Sequence, residues 1–312
     1  MNTNKPLIWT ISGADCSGGA GISADIKTGH CFDVDVCHLI TANTVQNNKR
    51  LASVNAVGID ILNQQAQTLL EVKAPTVIKI GLIASKAQIG WLVNLITQLK
   101  TEQPPLKIVF DPVGQASVGG KFSSLTPADF SHLIPLIDII TPNLIEAKAL
   151  ANSHSNNLKE LADAISKRGV NSVIIKGGHT DDKNYSQDIC SHQLSFLDTA
   201  CKELGRTYYQ LNSPRINTKY SHGGGCSFAT AIASLLAHGY LVRDAFMLSK
   251  AFITQGLIRN EGKTGFYGAF EQHPIEYKVE TFPRVNEKIS RLNDELCFPS
   301  LEIPRDGSQA LG

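Results

Sequence analysis

The chain has 312 residues, 42% hydrophobic and 18% charged, which suits one large α/β domain or two small ones around an ample core. Its net charge is +1 and no run of Lys and Arg occurs, so neither nucleic acid nor a membrane surface is indicated as a partner. No stretch of 18 apolar residues reads as a membrane span, and seven scattered cysteines without a CxxC pair argue against a zinc site or a disulfide framework.

Residues 1–6 lack the basic-then-apolar plan of a signal peptide, and the expectation is a cytoplasmic protein. Residues 7–11 read as a first strand, 12–21 as a glycine-rich turn, and 22 to about 28 as a helix. Strand, glycine turn and helix present backbone to a ligand in α/β proteins, although the turn fits neither GxGxxG nor GxxxxGK[ST] well. An ordinary βα turn with small residues is the alternative. Asp25, early in that helix, is either a dipole-matching acid or a side chain that reaches back to the turn's ligand.

Residues 34–40 read as a second strand that ends in the polar stretch 41–48. That stretch is either a solvated loop or a reader of a heteroaromatic ring edge, since its side chains both donate and accept hydrogen bonds. A helix over 61–72, a strand over 76–81, a helix over 87–99 and a strand over 107–110 follow. Asp111-Pro112-Val113 closes the last of these, and Asp111 falls where open α/β sheets bind ligands. Residues 114–125 form a glycine-containing loop, a candidate lid.

A buried strand over 136–140 stops at Thr141-Pro142-Asn143, and a helix opens at Leu144. Asn143 and Glu146 share a face, either as N-cap and N3 of a capping box or as oxygen donors near Mg²⁺ or its water shell. After a helix over 158–168, residues 172–179 read as strand and glycine turn. Lys176 stands at the strand's end, either as a surface charge or as a contact to a nucleotide phosphate. Residues 188–190 and 206–211 suggest antiparallel edge strands.

In Ser221-His222-Gly223-Gly224-Gly225-Cys226-Ser227, three glycines run into a cysteine and then a helix to about 238, with Phe228, Ile232, Leu235 and Leu236 spaced as one buried face. A glycine loop at a helix N-terminus offers unpaired amides and a favourable dipole to a phosphate, and eases ionisation of a thiol at its edge. Phosphoryl transfer at this loop is the expectation. A last helix covers 245–257. The alternation implies a mostly parallel, doubly wound sheet with helices on both faces. From about 274 the alternation ends; residues 274–312 hold four prolines and read as a linker or a surface-packed extension.

In order and spacing, the segments Gly13 to Lys27, Thr44-Val45-Gln46-Asn47, Lys79-Ile80-Gly81-Leu82, Asp111-Pro112-Val113, Thr141 to Glu146, Val173 to His179 and Ser221 to Ser227 resemble the hydroxymethylpyrimidine/phosphomethylpyrimidine kinases of thiamine biosynthesis, in the ribokinase-like superfamily. The resemblance covers about the first 270 residues, by motif order and spacing. It implies a ribokinase-like domain over 1–275 and a C-terminal extension over 276–312. It also implies ATP and Mg²⁺, and two successive transfers, first onto the hydroxyl of 4-amino-5-hydroxymethyl-2-methylpyrimidine and then onto its monophosphate. Asp25, Gln46, Gly13, Leu82 and Val113 match substrate-binding positions. Lys176, Asn143 and Glu146 match ATP contacts, the last two also the metal region. Gly223, Gly224 and Gly225 match the anion hole, and Cys226 the proposed base.

The sequence departs from the family pattern at Gly224, where threonine is usual, at Leu82 and Gly114, where methionine is frequent, and at Ser117, near which a lysine is common. The implied partner is a small pyrimidine; a homodimer and a thiamine-phosphate synthase, fused or separate, are compatible with the resemblance. Phe298-Pro299 and Leu311-Gly312 resemble the junction before such a synthase. A pyridoxal-type kinase on the same fold, a ligand-binding relative with weak catalysis, and a cysteine hydrolase using Cys226 are the rival readings.

Overall fold

In the computed structural model the described residues are 5–259, apart from 48, 103–104, 115–119, 180–183, 195–204 and 219, together with 270, 272–274 and 284–285. They form the strands β1 (Leu7–Asp15), β2 (Asp35–Gln46), β3 (Leu51–Ala56), β4 (Val77–Ile80), β5 (Lys107–Phe110), β6 (Ile139–Ile140), β7 (Ser172–Ile175), β8 (Tyr185–Gln193), β9 (Arg206–Pro214) and β10 (Arg284–Val285). The helices are α1 (Gly21–Cys31), α2 (Ile59–Leu70), α3 (Lys86–Glu102), α4 (Leu144–Ala151), α5 (Leu158–Ser166), α6 (Gly224–Ala237) and α7 (Val242–Arg259).

All ten strands belong to one sheet, in the order β10-β9-β8-β7-β6-β5-β4-β1-β2-β3. From β2 through β1, β4, β5 and β6 to β7 the pairs are parallel, while β3, β8, β9 and β10 pair antiparallel to their neighbours. The central strands are apolar throughout because both faces are covered. Trp9, Ile78, Ile108 and Ile140 pack on one face with α2, α3, α4 and α5. Their neighbours Ile8, Val77, Val109 and Ile139 pack on the other with α6 and α7.

Several local readings change. The strand expected over 7–11 runs on to Asp15, so Gly13 is a strand residue rather than part of the turn. The polar stretch is strand rather than loop as far as Gln46: β2 extends to that residue and pairs with β3, a strand the sequence reading lacked. Its polar residues sit there because the antiparallel pair with edge strand β3 leaves one face of the sheet toward solvent. The strand expected over 136–140 is reduced to Ile139–Ile140, since Ile134–Leu136 form a 3-10 turn around Pro135. Helix α6 is buried on more than one side, with every residue from Ser227 to Leu235 inside. Its alanines and serines let it lie close against β1, β4, β5, α1 and α7. Arg284–Val285 adds an edge strand to β9, so the extension packs on the sheet at that point. The remainder of 276–312, including Phe298-Pro299 and Leu311-Gly312, and residues 115–119 of the lid lie outside the described residues.

Candidate active site

The parallel strands all deliver their C-terminal ends to one cleft of about 960 Å³. Proline ends two of them: β5 gives Asp111-Pro112-Val113 and β6 gives Thr141-Pro142-Asn143. Gly13, Gln46, Leu82, Val113, Asn143, Glu146, Lys176, Gly223, Gly224, Gly225 and Cys226 all line this cleft. Asp25 does not. Its carboxylate is fully buried, paired with Lys79 Nζ at 2.8 and 2.9 Å and hydrogen-bonded by the hydroxyls of Thr10 and, at 2.7 Å, Thr230. The carboxylate thus holds α1, β1, β4 and α6 together beneath the site.

Gly223 is the N-cap of α6 at φ +85°, and a Cβ there would meet the Gly19 carbonyl oxygen at 1.9 Å. Glycine is therefore required on two counts, backbone angle and space. The Gly224 amide donates to the Ser221 carbonyl at 3.0 Å and is not available to an anion, contrary to the expectation that the whole loop would be. The amides of Gly225 and Cys226 lie in the first helical turn, where no helix carbonyl can pair with them. A Cβ on Gly225 would sit 3.5 Å from Lys176 Nζ and 3.8 Å from Asp111 Oδ2, so the loop abuts a charged pair.

That pair is Lys176 Nζ and Asp111 Oδ1 at 2.8 Å. Burial opposes the Lys176 charge, but Asp111 and Glu146 outweigh it and hold its proton more tightly than usual. Asn143 and Glu146 form a capping box: Glu146 N donates to Asn143 Oδ1 at 2.9 Å, and Asn143 N to Glu146 Oε2 at 2.8 Å. The capping-box reading holds, and the cap that starts α4 also lines the cleft. Burial, with the Asp111 charge adding to it, pushes the Glu146 carboxyl up to about 7.

Cys226 departs from the expectation of an easily ionised thiol. Burial pushes it up to about 11, with Asp25 and Asp111 adding to the effect and Lys79 opposing it. Loss of hydration outweighs the helix end here.

Sequence reasoning missed three groups. Lys79 carried a signal, a lysine within the apolar strand Val77-Ile78-Lys79-Ile80, and it is fully buried. Asp15 and His222 carried none, being 207 residues apart; His222 Nε2 lies 2.8 Å from Asp15 Oδ2. Asp15 also accepts the amides of Ser17 and Ala20, so this pair clasps the first glycine turn to the last. Despite burial, the His222 and Ser17 hydrogen bonds hold the Asp15 carboxyl down to about 2. The third is Lys250, whose Nζ lies 2.9 Å from Asp188 and 3.0 Å from Ser186 Oγ on the cleft wall. Among the described residues, no three His, Cys, Asp or Glu side chains cluster as a metal cage.

A mostly parallel sheet with a glycine-capped helix and a lysine-carboxylate pair at its C-terminal edge defines a ribokinase-like α/β kinase. Residues 15–269 match the family model described as phosphomethylpyrimidine kinase, and the chain belongs to that family of phosphotransferases. The hydroxymethylpyrimidine/phosphomethylpyrimidine kinase of Bacillus subtilis is 32% identical over 88% of this chain and 98% of its own. Among solved structures, the phosphomethylpyrimidine kinase of Clostridium difficile is 31% identical with a TM-score of 0.63, covering 80% of this chain and 99% of that one. The pyridoxal kinase of Staphylococcus aureus in complex with pyridoxal is 26% identical with a TM-score of 0.73, covering 90% and 98%.

Proposed function

We propose that the protein uses ATP and Mg²⁺ to phosphorylate 4-amino-5-hydroxymethyl-2-methylpyrimidine and then its monophosphate, in thiamine biosynthesis. The observation that carries this reading is the meeting of Gly225, Lys176 and Asp111 at the mouth of α6 in the same cleft as Gly13, Gln46, Leu82 and Val113. Phosphoryl transfer depends on alignment and charge neutralisation more than on covalent chemistry. Lys176 holds ATP phosphate oxygens, and the Gly225 and Cys226 amides receive charge that builds on the transferred group. Gln46 binds the ring edge from the end of β2.

Asn143 and Glu146 suit a hydrated Mg²⁺ shared with phosphates, because the crowded carboxyls of Glu146 and Asp111 are relieved by a cation and the site has too few acids for a full cage. Bound Mg²⁺ supplies charge neutralisation to the ATP phosphates. Cys226 in its thiolate form accepts the hydroxymethyl proton, and the high proton affinity of the thiol makes turnover rise with pH. Asp25 acts on this chemistry from below, through the elements it ties together.

A pyridoxal-type activity is the second reading, favoured by the higher TM-score to the Staphylococcus aureus pyridoxal kinase. An ATP-consumption panel with hydroxymethylpyrimidine, its monophosphate and pyridoxal decides between them. Fastest turnover on the pyrimidines supports the main reading, fastest turnover on pyridoxal selects the rival, and binding without turnover selects a weakly catalytic relative. The proposal includes action in the cytoplasm, supported by the lack of any described helix long and apolar enough to cross a membrane. It also includes a homodimer, and a thiamine-phosphate synthase as fused domain or partner; a subunit mass under denaturing conditions well above 33.8 kDa tests the fusion.

A further inference from the structure

Lys79 is a fully buried ammonium that the chemistry above does not use. It rises from β4 beneath the site, and a Cβ on Gly81 would sit 2.9 Å from its Nζ. Its partner Asp25 Oδ1 accepts both Lys79 Nζ at 2.8 Å and Thr230 Oγ1 at 2.7 Å. Thr230 lies four residues after Cys226 on α6, on the same helix face and one turn below it. One carboxylate therefore locks a buried cation to the helix that carries the thiol. An ion pair kept only for stability is rarely better than apolar packing of the same volume, so a fully buried pair at this position calls for another role.

We infer that Lys79 is a positioning residue for the transfer: its ammonium, locked by Asp25 to Thr230 one turn beneath Cys226, supplies the counter-charge for the thiolate and anchors α6 at that turn. The inference rests on the reading of Cys226 as the proton acceptor. Four charged groups act on that thiol: Lys79 from β4, Lys176 after β7, Asp25 from α1 and Asp111 after β5. Lys79 is the strongest of the three that Cys226 responds to most, and it alone among those favours the thiolate. Burial and the two carboxylates favour the thiol, so loss of Lys79 removes the strongest charge that opposes them.

The test is the alkylation rate of Cys226 by iodoacetamide in the ligand-free enzyme at pH 8.5, read by peptide mass spectrometry because the chain has seven cysteines. Below the thiol's titration, the rate follows the thiolate fraction, and each unit of displaced proton affinity changes it about tenfold. Lys79→Met is expected to slow alkylation by at least about tenfold, and Asp25→Asn to speed it. A role confined to stability moves both variants in one direction or neither, and that result overturns the inference. If Lys79→Met does not fold, Lys79→Met/Asp25→Asn is read in its place. It is expected to react more slowly than wild type, because the lysine's pull exceeds the aspartate's push, and an equal or faster rate overturns the inference. Turnover of Cys226→Ser is measured separately. If it stays near wild type while the alkylation rates split as expected, the Lys79–Cys226 coupling stands and the assignment of Cys226 as proton acceptor falls.

Discussion

Two glycine turns start two helices in this protein, and they use their glycines differently. The turn before α1 is open at Gly18 but closed where it enters the helix: Gly21 has φ +56°, and a Cβ there would meet the Gly13 carbonyl oxygen at 2.0 Å. The turn before α6 is tight at one residue and open at the next two. Gly223 is pressed on the Gly19 carbonyl, a Cβ on Gly224 would have no neighbour within 4 Å, and a Cβ on Gly225 would sit 3.5 Å from Lys176 Nζ. The first turn is thus mainly a wall against which the second is set, joined to it by Asp15 and His222. Glycine content alone does not mark an anion site; what does is an open helical first turn beside a cation.

This contrast yields graded tests. Gly223→Ala should have the largest effect, since it must move the Gly19 carbonyl and hold alanine at positive φ, a strain of about 1–3 kcal/mol before any clash. More than a hundredfold loss of turnover together with a lowered Tm is expected; wild-type activity would show that the two turns are not pressed together in solution. Cys226→Ala should lower kcat by at least about 100-fold and flatten its rise with pH while leaving the Tm near wild type. A pH profile for this variant that parallels wild type would remove the thiol from the chemistry.

The clasp between the turns comes next. The Asp15 carboxyl is held down to about 2 from 3.8, so the folded protein binds its proton less tightly than the unfolded chain. Its contribution, about 2 kcal/mol, is complete above the unfolded value and is lost as the pH falls from about 4 to 2. Chemical denaturation across that range should show this acid-side loss, and Asp15→Asn should lack it. Gly224→Ala should change least: the side chain enters open space, and alanine within the first turn adds up to about 1 kcal/mol of stability. A large loss of activity from this variant would mean that substrate fills the space.

Much of the architecture was legible in local pattern. Apolar runs marked the buried parallel strands, and the prolines after Asp111 and Thr141 marked two strand ends on the cleft. Eleven of the twelve residues singled out as site residues line that cleft, the exception being Asp25. The failures share a cause. Edge strand β3 mixes small apolar and polar residues and is exposed along much of its length, so neither alternation nor an apolar run announced it. The Gly224 amide is lost to Ser221 through backbone geometry that composition does not report.

By itself, the sequence determined the order of the parallel strands and the helices between them, the family, the glycine-to-cysteine loop and the lysine at the end of β7, because each depends on residues near one another in the chain. Only the tertiary structure decided how the charges pair. Lys79 meets Asp25 across 54 residues, Lys176 meets Asp111 across 65, and His222 meets Asp15 across 207. Proton affinities follow from such pairings and from burial, which exist only once the sheet is assembled. The same assembly leaves Cys226 a thiol held near 11 in a cleft that sequence alone had marked as favouring the thiolate.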